Sequence, residues 1–110
     1  MVIKETRIQG LIEINPTIFH DERGWFTESY NQATFKSLGL NMNFIQDNLS
    51  FSKAGVLRGL HFQNDPHAQG KLVKVIEGKV LDVAVDIRPD SPTFGQYYKV
   101  ILSGEKQNLF

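Results

Sequence analysis

Residues 55–63 read GVLRGLHFQ and place groups capable of chemistry inside an otherwise apolar run. Arg58 is a permanent cation, and His61 is a side chain that readily exchanges a proton near neutral pH. Gly59 lies between them, and glycine within a strand often marks a bulge or a point where a ligand comes close. A second cation, Lys71, follows shortly after. We interpret this stretch as part of a ligand site and not only as core.

The elements that must position this stretch are short. Runs of β-branched and aromatic residues with period-two alternation predict strands, which turn residues separate at close intervals. The predicted strands are residues 2–3, 11–14, 25–30, 44–51, 55–63, 71–77, 79–87 and 97–102. Glu77-Gly78 predicts a tight hairpin between residues 71–77 and 79–87. One short helix is predicted over residues 31–39, with Asn31 as its N-cap and Gly39 closing it.

Many short strands and a single helix predict an all-β sandwich or barrel, and we expect an antiparallel jelly roll. The interior of such a barrel can enclose a ligand cavity. Alternation puts several polar side chains on strand faces, and two carboxylates on one face need either water or a polar cavity. The polar side chains that such a cavity would collect are Gln46, Asn48, His61, Lys71, Asp82 and Asp86.

The composition of the chain excludes several classes of function. A chain of 110 residues is expected to form a single domain. Twelve Lys plus Arg residues balance twelve Asp plus Glu residues, so no overall basic field attracts nucleic acid or an anionic membrane. The absence of cysteine excludes disulfides and thiolate chemistry. A charged start and the lack of a bilayer-spanning stretch lead us to expect a cytoplasmic protein.

A metal-dependent barrel is the first alternative. Metal-binding jelly rolls hold their ion with a close His-x-His pair and a nearby carboxylate. Here the position two after His61 is Gln63, and His67 is poorly placed to replace it. We therefore expect no metal and no cofactor. Phosphate-loop and dinucleotide glycine patterns and nucleophile elbows are also missing from the sequence.

Each candidate residue also has a purely structural interpretation. A histidine in a strand is more often packed or hydrogen-bonded than catalytic, and Lys71 could protect a sheet edge. Arg23 and Arg58 could be surface ion-pair partners. Strict alternation puts Arg58 and His61 on opposite faces, and a bulge at Gly59 would bring them to one face. The side chains that could instead serve backbone or solvent are Gln46, Asn48, Asp82 and Asp86.

Six blocks of the sequence, in order and at close to the expected spacing, resemble the dTDP-4-dehydrorhamnose 3,5-epimerases. The blocks are DERGWFTESY at 21–30, QDN at 46–48, VLRGLHFQ at 56–63, GKLV at 70–73, DVAVDIR at 82–88 and SPTFG at 91–95. The resemblance implies a cupin-like antiparallel jelly roll that has no catalytic metal and usually works as a homodimer. It also implies inversion of the carbons beside the ketone of dTDP-4-dehydro-6-deoxyglucose, a dTDP-linked 4-keto-6-deoxy sugar, in dTDP-L-rhamnose biosynthesis.

The same resemblance implies roles for individual residues. His61 is similar to the family's general base, which removes a proton beside the ketone, and Lys71 to the cation that stabilises the enolate oxygen. Arg23 and Arg58 are similar to phosphate contacts, because guanidinium forks suit paired phosphate oxygens. Further contacts with the nucleotide or the sugar are implied for Glu28, Gln46, Asp47 and Asn48.

The resemblance also predicts that residues 1–110 form one jelly-roll domain truncated at its C-terminal side. The family's catalytic tyrosine, its histidine-orienting aspartate and a GFAHGF segment are expected beyond Phe110, and Tyr97 and Tyr98 match no catalytic position. These residues alone are therefore not expected to complete epimerisation, whereas proton exchange by His61 needs only a base and a stabilised enolate. The alternative is a non-catalytic remnant that binds a nucleotide sugar.

Overall fold

Six strands and one helix make up the regular structure, which a computed structural model describes for all 110 residues. In chain order the elements are β1 (Val2–Glu5), β2 (Ile12–Asn15), β3 (Ile18–Asp21), β4 (Gly24–Thr27), α1 (Gln32–Ser37), β5 (Lys79–Val85) and β6 (Tyr97–Ser103). β1 pairs with β2, β3 with β4 and β5 with β6, and all three pairs are antiparallel. The prediction of antiparallel strands with one short helix is confirmed.

The chain divides into two compact units. Unit 1 comprises Met1–Asn31 and Leu72–Phe110, and unit 2 comprises Gln32–Lys71. All six strands lie in unit 1, whereas α1 is the one regular element of unit 2.

The first four strands form two hairpins, of which the second has a tight turn of two residues. Ile3 lies opposite Ile14 in the first, and Asp21 lies opposite Gly24 in the second. β3 continues to Asp21 and β4 begins at Gly24, so that Glu22 and Arg23 alone form the turn. Gly24 has a φ of 135°, which L side chains rarely adopt, and this explains the glycine at that position.

The third hairpin has one inward and one outward face. β5 and β6 align Asp82 with Val100 and Ala84 with Tyr98, and these side chains are half-buried. The alternate positions point outward, as period two requires. The exposed apolar side chains on that outward face are Leu81, Val83, Tyr97 and Ile101. Predicted alternation in this strand is confirmed, with the apolar set on the exposed side.

The core of unit 1 is built where the last residues of the chain return to the first sheet. Leu109 exchanges backbone hydrogen bonds of 2.8 and 2.9 Å with Ile14 of β2. Full burial of a large apolar side chain is worth about 1.5–3 kcal/mol, so this junction contributes strongly to stability. The buried apolar residues of the unit are Ile8, Ile14, Leu102, Leu109 and Phe110.

The helix of unit 2 agrees with its predicted signals. Asn31 immediately precedes α1, and Gly39, with a φ of 82°, follows its end. The Leu40 N–H donates to the Phe35 carbonyl at 2.9 Å and closes the helix terminus. The Phe35 side chain is fully buried, as its place on the apolar face requires.

Three predicted strands are not formed. Residues 44–51 and 55–63 contain no strand, and residues 71–77 contribute only an isolated bridge at Lys74. Alternation describes a strand only where a neighbouring strand accepts its backbone hydrogen bonds, and unit 2 contains no such neighbour. The hairpin predicted at Glu77-Gly78 is likewise wrong, because the partner of β5 is β6.

Candidate functional site

Arg23 is presented by the turn between β3 and β4. Its Nη2 donates to Asp21 Oδ2 at 2.6 Å, and its backbone N–H donates to Asp21 Oδ1 at 2.8 Å. The side chain is 85% exposed, so the guanidinium keeps donors that face solvent. The Arg23 hydrogen bond holds the pKa of the Asp21 carboxyl below its ordinary value. The turn therefore presents a pre-oriented cation whose remaining donors suit an anionic group.

Glu28 lies between β4 and the start of the helix. Its Oε2 accepts a hydrogen bond of 3.0 Å from the Asn31 side-chain amide. The adjacent Ser29 hydroxyl accepts one of 3.4 Å from Lys74 Nζ, which joins the two stretches of unit 1. Glu28 is thus held by a local contact, and its neighbour is tied to the segment that follows Lys71.

In unit 2, two of the predicted amides lie side by side. Gln46 Nε2 donates to Asn48 Oδ1 at 3.2 Å, although the surrounding backbone forms no strand. Asp47 between them is exposed. The pair presents amide donors and acceptors to solvent, a set suited to hydroxyl or base groups of a ligand.

Arg58 closes a turn of its own segment. Its Nε donates to Ser52 Oγ at 2.9 Å, and its Nη2 donates to the Phe51 carbonyl at 3.0 Å. Sequence reasoning missed Ser52 as the partner that orients this guanidinium. The spacing across Gly55, whose φ of 81° turns the chain back, is the only signal that could have revealed it.

His61 and Lys71 are both exposed, and neither side chain makes a hydrogen bond or ion pair. Gly59, with a φ of 123°, lies just before His61, and a side-chain carbon built there would sit 3.8 Å from His61 Cδ2. The strand alternation that separated Arg58 from His61 does not apply, because these residues are not in a strand. Their placement on one face stays a prediction.

Among the predicted site residues, Gln46 and Asn48 are joined directly by a hydrogen bond. Two cavities, of about 210 and 280 Å³, are present, and none of the eight predicted site residues lines either of them. The first is lined by residues 32, 36 and 40–43, and the second by residues 8–11 and 84–88.

Nowhere do three His, Asp or Glu side chains come together in a group that could hold a metal ion. No helix is long and apolar enough to cross a bilayer.

The carboxylates of the third hairpin differ in environment. Burial raises the pKa of Asp82 above its ordinary value. Asp86 lies just after β5 and is buried, but hydrogen bonds from Arg88, Ser91 and Thr93 hold its pKa well below the ordinary range. Asp86 therefore organises the loop between β5 and β6, and its carboxylate oxygens are occupied by residues of that loop.

The fold places the chain among the all-β, cupin-like jelly rolls. The family model for dTDP-4-dehydrorhamnose 3,5-epimerase matches residues 5–110. The chain therefore belongs to the dTDP-4-dehydrorhamnose 3,5-epimerase family, as its sequence blocks predicted.

Two relatives of this name illustrate the similarity in sequence. The protein from Salmonella typhimurium is 55% identical over 108 residues, which cover 97% of this chain and 59% of the relative. The protein from Methanothermobacter thermautotrophicus is 50% identical over 106 residues, covering 96% of this chain and 57% of the relative. The chain therefore spans a little under three-fifths of the length of these relatives.

Solved structures agree with the sequence comparison. The dTDP-4-dehydrorhamnose 3,5-epimerase from Bacillus anthracis, with TDP and PPi bound, superposes with a TM-score of 0.94 and 46% identity, covering 98% of this chain and 62% of that one. The dTDP-6-deoxy-D-glucose-3,5-epimerase from Legionella pneumophila, in complex with dTDP-4-keto-L-rhamnose, has a TM-score of 0.91 and 52% identity, covering 98% and 57%. The cupin-like antiparallel fold predicted from the sequence is confirmed.

Proposed function

We propose that this chain binds a dTDP-linked 4-keto-6-deoxy sugar and removes a proton from a carbon beside the ketone, the opening step of 3,5-epimerisation in dTDP-L-rhamnose biosynthesis. The Legionella pneumophila complex supports this most directly, because it joins 52% identity to a bound dTDP-4-keto sugar. The Bacillus anthracis structure adds a bound TDP. Both ligands contain a nucleoside diphosphate, and its negative charge requires cationic contacts in a binding site.

His61 is the base in this proposal, and Lys71 is the cation. The imidazole accepts the proton of the carbon–hydrogen bond, and the electron pair of that bond moves toward the ketone oxygen to give an enolate. The Lys71 ammonium stabilises the negative oxygen that forms. Neither side chain is engaged by another residue, so both are available to a ligand.

The remaining residues contact the nucleotide and the sugar. Arg23 and Arg58 bind diphosphate oxygens, and each is already oriented by a hydrogen bond that it donates to an acceptor in its own segment. The polar contacts completing the site are Glu28, Gln46, Asp47 and Asn48. The Tyr98 hydroxyl already donates to Glu13, so we do not assign it to proton delivery.

The proposal extends to the domain organisation, location, oligomeric state and partners of the protein. We propose that residues 1–110 belong to a single epimerase-like jelly-roll domain in the cytoplasm and that the enzyme is a homodimer. We propose no metal ion and no organic cofactor, since a lysine ammonium can stabilise the enolate. Nucleic acid and membrane are not proposed as partners.

The test is proton exchange with solvent. The protein is incubated with dTDP-4-keto-6-deoxyglucose in deuterated buffer, and loss of the proton signals beside the ketone is followed by NMR. We expect exchange in the parent chain, loss of at least about a hundredfold in His61→Ala, and an unchanged rate in the matched control His67→Ala. Lys71→Met should lose a similar factor, and Lys53→Met should not.

The possible outcomes separate the interpretations. Exchange that survives in His61→Ala would remove this residue from the role of base. Binding of dTDP without any exchange in the parent chain would favour the alternative, a nucleotide-sugar-binding protein without turnover. Accumulation of an inverted product would show that a proton is also delivered to the opposite face.

A further inference from the structure

Residues 108–110 form an extended segment in unit 1 that is paired on both sides by isolated bridges and lies outside the six strands; we call it the bridging strand. On one side Leu109 exchanges backbone hydrogen bonds of 2.8 and 2.9 Å with Ile14 of β2. On the other side Phe110 exchanges hydrogen bonds of 2.8 and 3.0 Å with Val73, and Leu109 forms an antiparallel bridge with Lys74. The bridging strand therefore holds residues 73–74 in register with the first sheet.

Asn108 anchors this strand through its side chain. Its Nδ2 donates to the Ile101 carbonyl at 3.0 Å, and its Oδ1 accepts from the Ser103 N–H at 3.2 Å. The residue is 5% exposed, so an amide that lost these partners would be buried without hydrogen bonds, which is costly. Since Leu109 and Phe110 are buried as well, the bridging strand has a fixed position relative to β2 and β6.

The segment held in this way connects to two candidate site residues. Val73 comes two residues after Lys71 along the chain. Lys74 Nζ donates to the hydroxyl of Ser29, which immediately follows Glu28. A displacement of residues 73–74 would therefore move the backbone next to Lys71 and the backbone next to Glu28. Errors of about 1 Å in the position of a catalytic group can reduce rates about a hundredfold.

We propose that Asn108 is a positioning residue for the reaction: through the bridging strand it fixes Val73 and, with it, the backbone from which Lys71 extends. This inference rests on the proposed function, because it assumes that Lys71 stabilises the enolate. Asn108 itself is buried and does not contact the substrate in this proposal. Its influence should therefore fall on the rate of proton exchange and not on the affinity for the nucleotide.

The experiment compares the parent chain with Asn108→Ala, which removes both anchoring hydrogen bonds. Glu105→Ala is the matched control, because Glu105 lies in the same turn and is exposed. Three quantities are measured: protection of the Val73 amide against hydrogen exchange, the affinity for dTDP, and the proton-exchange rate at saturating dTDP-4-keto-6-deoxyglucose. For Asn108→Ala we expect loss of Val73 protection, a rate lowered about tenfold to a hundredfold, and a Kd for dTDP within about twofold of the parent.

A parental rate in Asn108→Ala, or unchanged Val73 protection, would overturn the inference. Should Asn108→Ala fail to fold, Asn108→Ser decides the question, because its neutral, shorter side chain adds no buried charge and cannot keep both hydrogen bonds. A parent chain without proton exchange would contradict the proposed function instead. In that case the NMR signal of 13C-methylated Lys71 is the readout: a shift in Asn108→Ala, with none in Glu105→Ala, supports positioning, and no shift refutes it.

Discussion

The Arg88 guanidinium donates hydrogen bonds of 2.8 Å to both carboxylate oxygens of Asp86, from Nε to Oδ1 and from Nη2 to Oδ2. Thr93 adds a further hydrogen bond of 2.7 Å to Oδ2. The backbone of Asp86 is paired as well, with Gln96 and Gly95 at 2.8 and 2.7 Å. One buried carboxylate therefore closes the loop that brings β6 back to β5.

Replacement of Asp86 should destabilise unit 1 strongly. Asp86→Ala leaves Arg88, Ser91 and Thr93 without their common acceptor, and we expect Tm to fall by about 5–15 °C, followed by circular dichroism. Because the folded pKa of Asp86 lies below its unfolded value, its contribution is present above about pH 3.9 and is lost as the pH falls further. Asp90→Ala, in the same loop but exposed, is the control. Equal Tm values for the two variants would contradict this role.

Gly104 is required by close packing of backbone. A side-chain carbon at this position would lie 2.3 Å from the Ile76 carbonyl oxygen, closer than any real contact. The atoms that this carbon would meet belong to the backbone and cannot rotate away. Gly104→Ala should therefore lower the free energy of unfolding by about 2–3 kcal/mol, measured by urea denaturation. Gly70→Ala is the control, because nothing lies within 4 Å of its added carbon and its φ is not positive. Gly70→Ala should leave the free energy of unfolding nearly unchanged. If Gly104→Ala lost no more stability than Gly70→Ala, the backbone would have shifted to relieve the clash, which would contradict the prediction.

Local signals predicted the helix and the two long strands, but they did not predict every pairing. Asn31 and Gly39 mark the bounds of α1 within its own sequence, so no distant contact is needed. The partner of β5 depends on the loop that Asp86 closes, and a hairpin signal at Gly78 cannot reveal that network. Residues 44–63 have the alternation of strands without a partner in their unit. Pairing is a non-local property, which explains why these predictions failed.

The candidate site likewise has some features that the sequence predicts and others that it does not. The residue types and their order were sufficient to identify the family, which the family model confirms over residues 5–110. The short-range pair between Asp21 and Arg23 is also suggested by a spacing of two across a turn. The anchoring of Arg58 by Ser52 and of the bridging strand by Asn108 could not be predicted, since each depends on a backbone path that alternation does not encode.

Asp82 should limit stability at neutral pH. Burial raises its pKa, so the charged form is disfavoured in the folded chain, and the cost applies above the folded pKa and is relieved as the pH falls. We expect Asp82→Asn to raise Tm at pH 7 by about 2–5 °C. The gain should shrink at acid pH, where the native carboxyl is protonated. Asp65→Asn, at an exposed position, should change nothing, and a gain in that control equal to that of Asp82→Asn would point to net charge as the cause.

Glu13 joins the first and third sheets in a cluster with Lys4 and Tyr98. Lys4 Nζ donates to Glu13 Oε1 at 2.9 Å and to the Tyr98 hydroxyl at 3.1 Å, and that hydroxyl donates to Glu13. Burial raises the pKa of Glu13, but the hydrogen bonds from Tyr98 and Lys4 outweigh it and lower the pKa below its ordinary value. The hydrogen bond to Glu13 is the main reason that the pKa of Lys4 rises to about 12.

The sign of the resulting pH dependence follows from Glu13. A carboxyl with a lowered folded pKa contributes stability above its unfolded pKa, about 4.3, and loses it as the pH falls through the folded value. The urea midpoint of the parent chain should therefore fall more steeply below pH 4.3 than that of Glu13→Gln, while Glu5→Gln, an exposed change on β1, keeps the parental slope. Tyr98→Phe should give an intermediate slope, because Lys4 still pairs with the carboxylate. Identical slopes for the parent and Glu13→Gln would show that the cluster does not couple the two sheets.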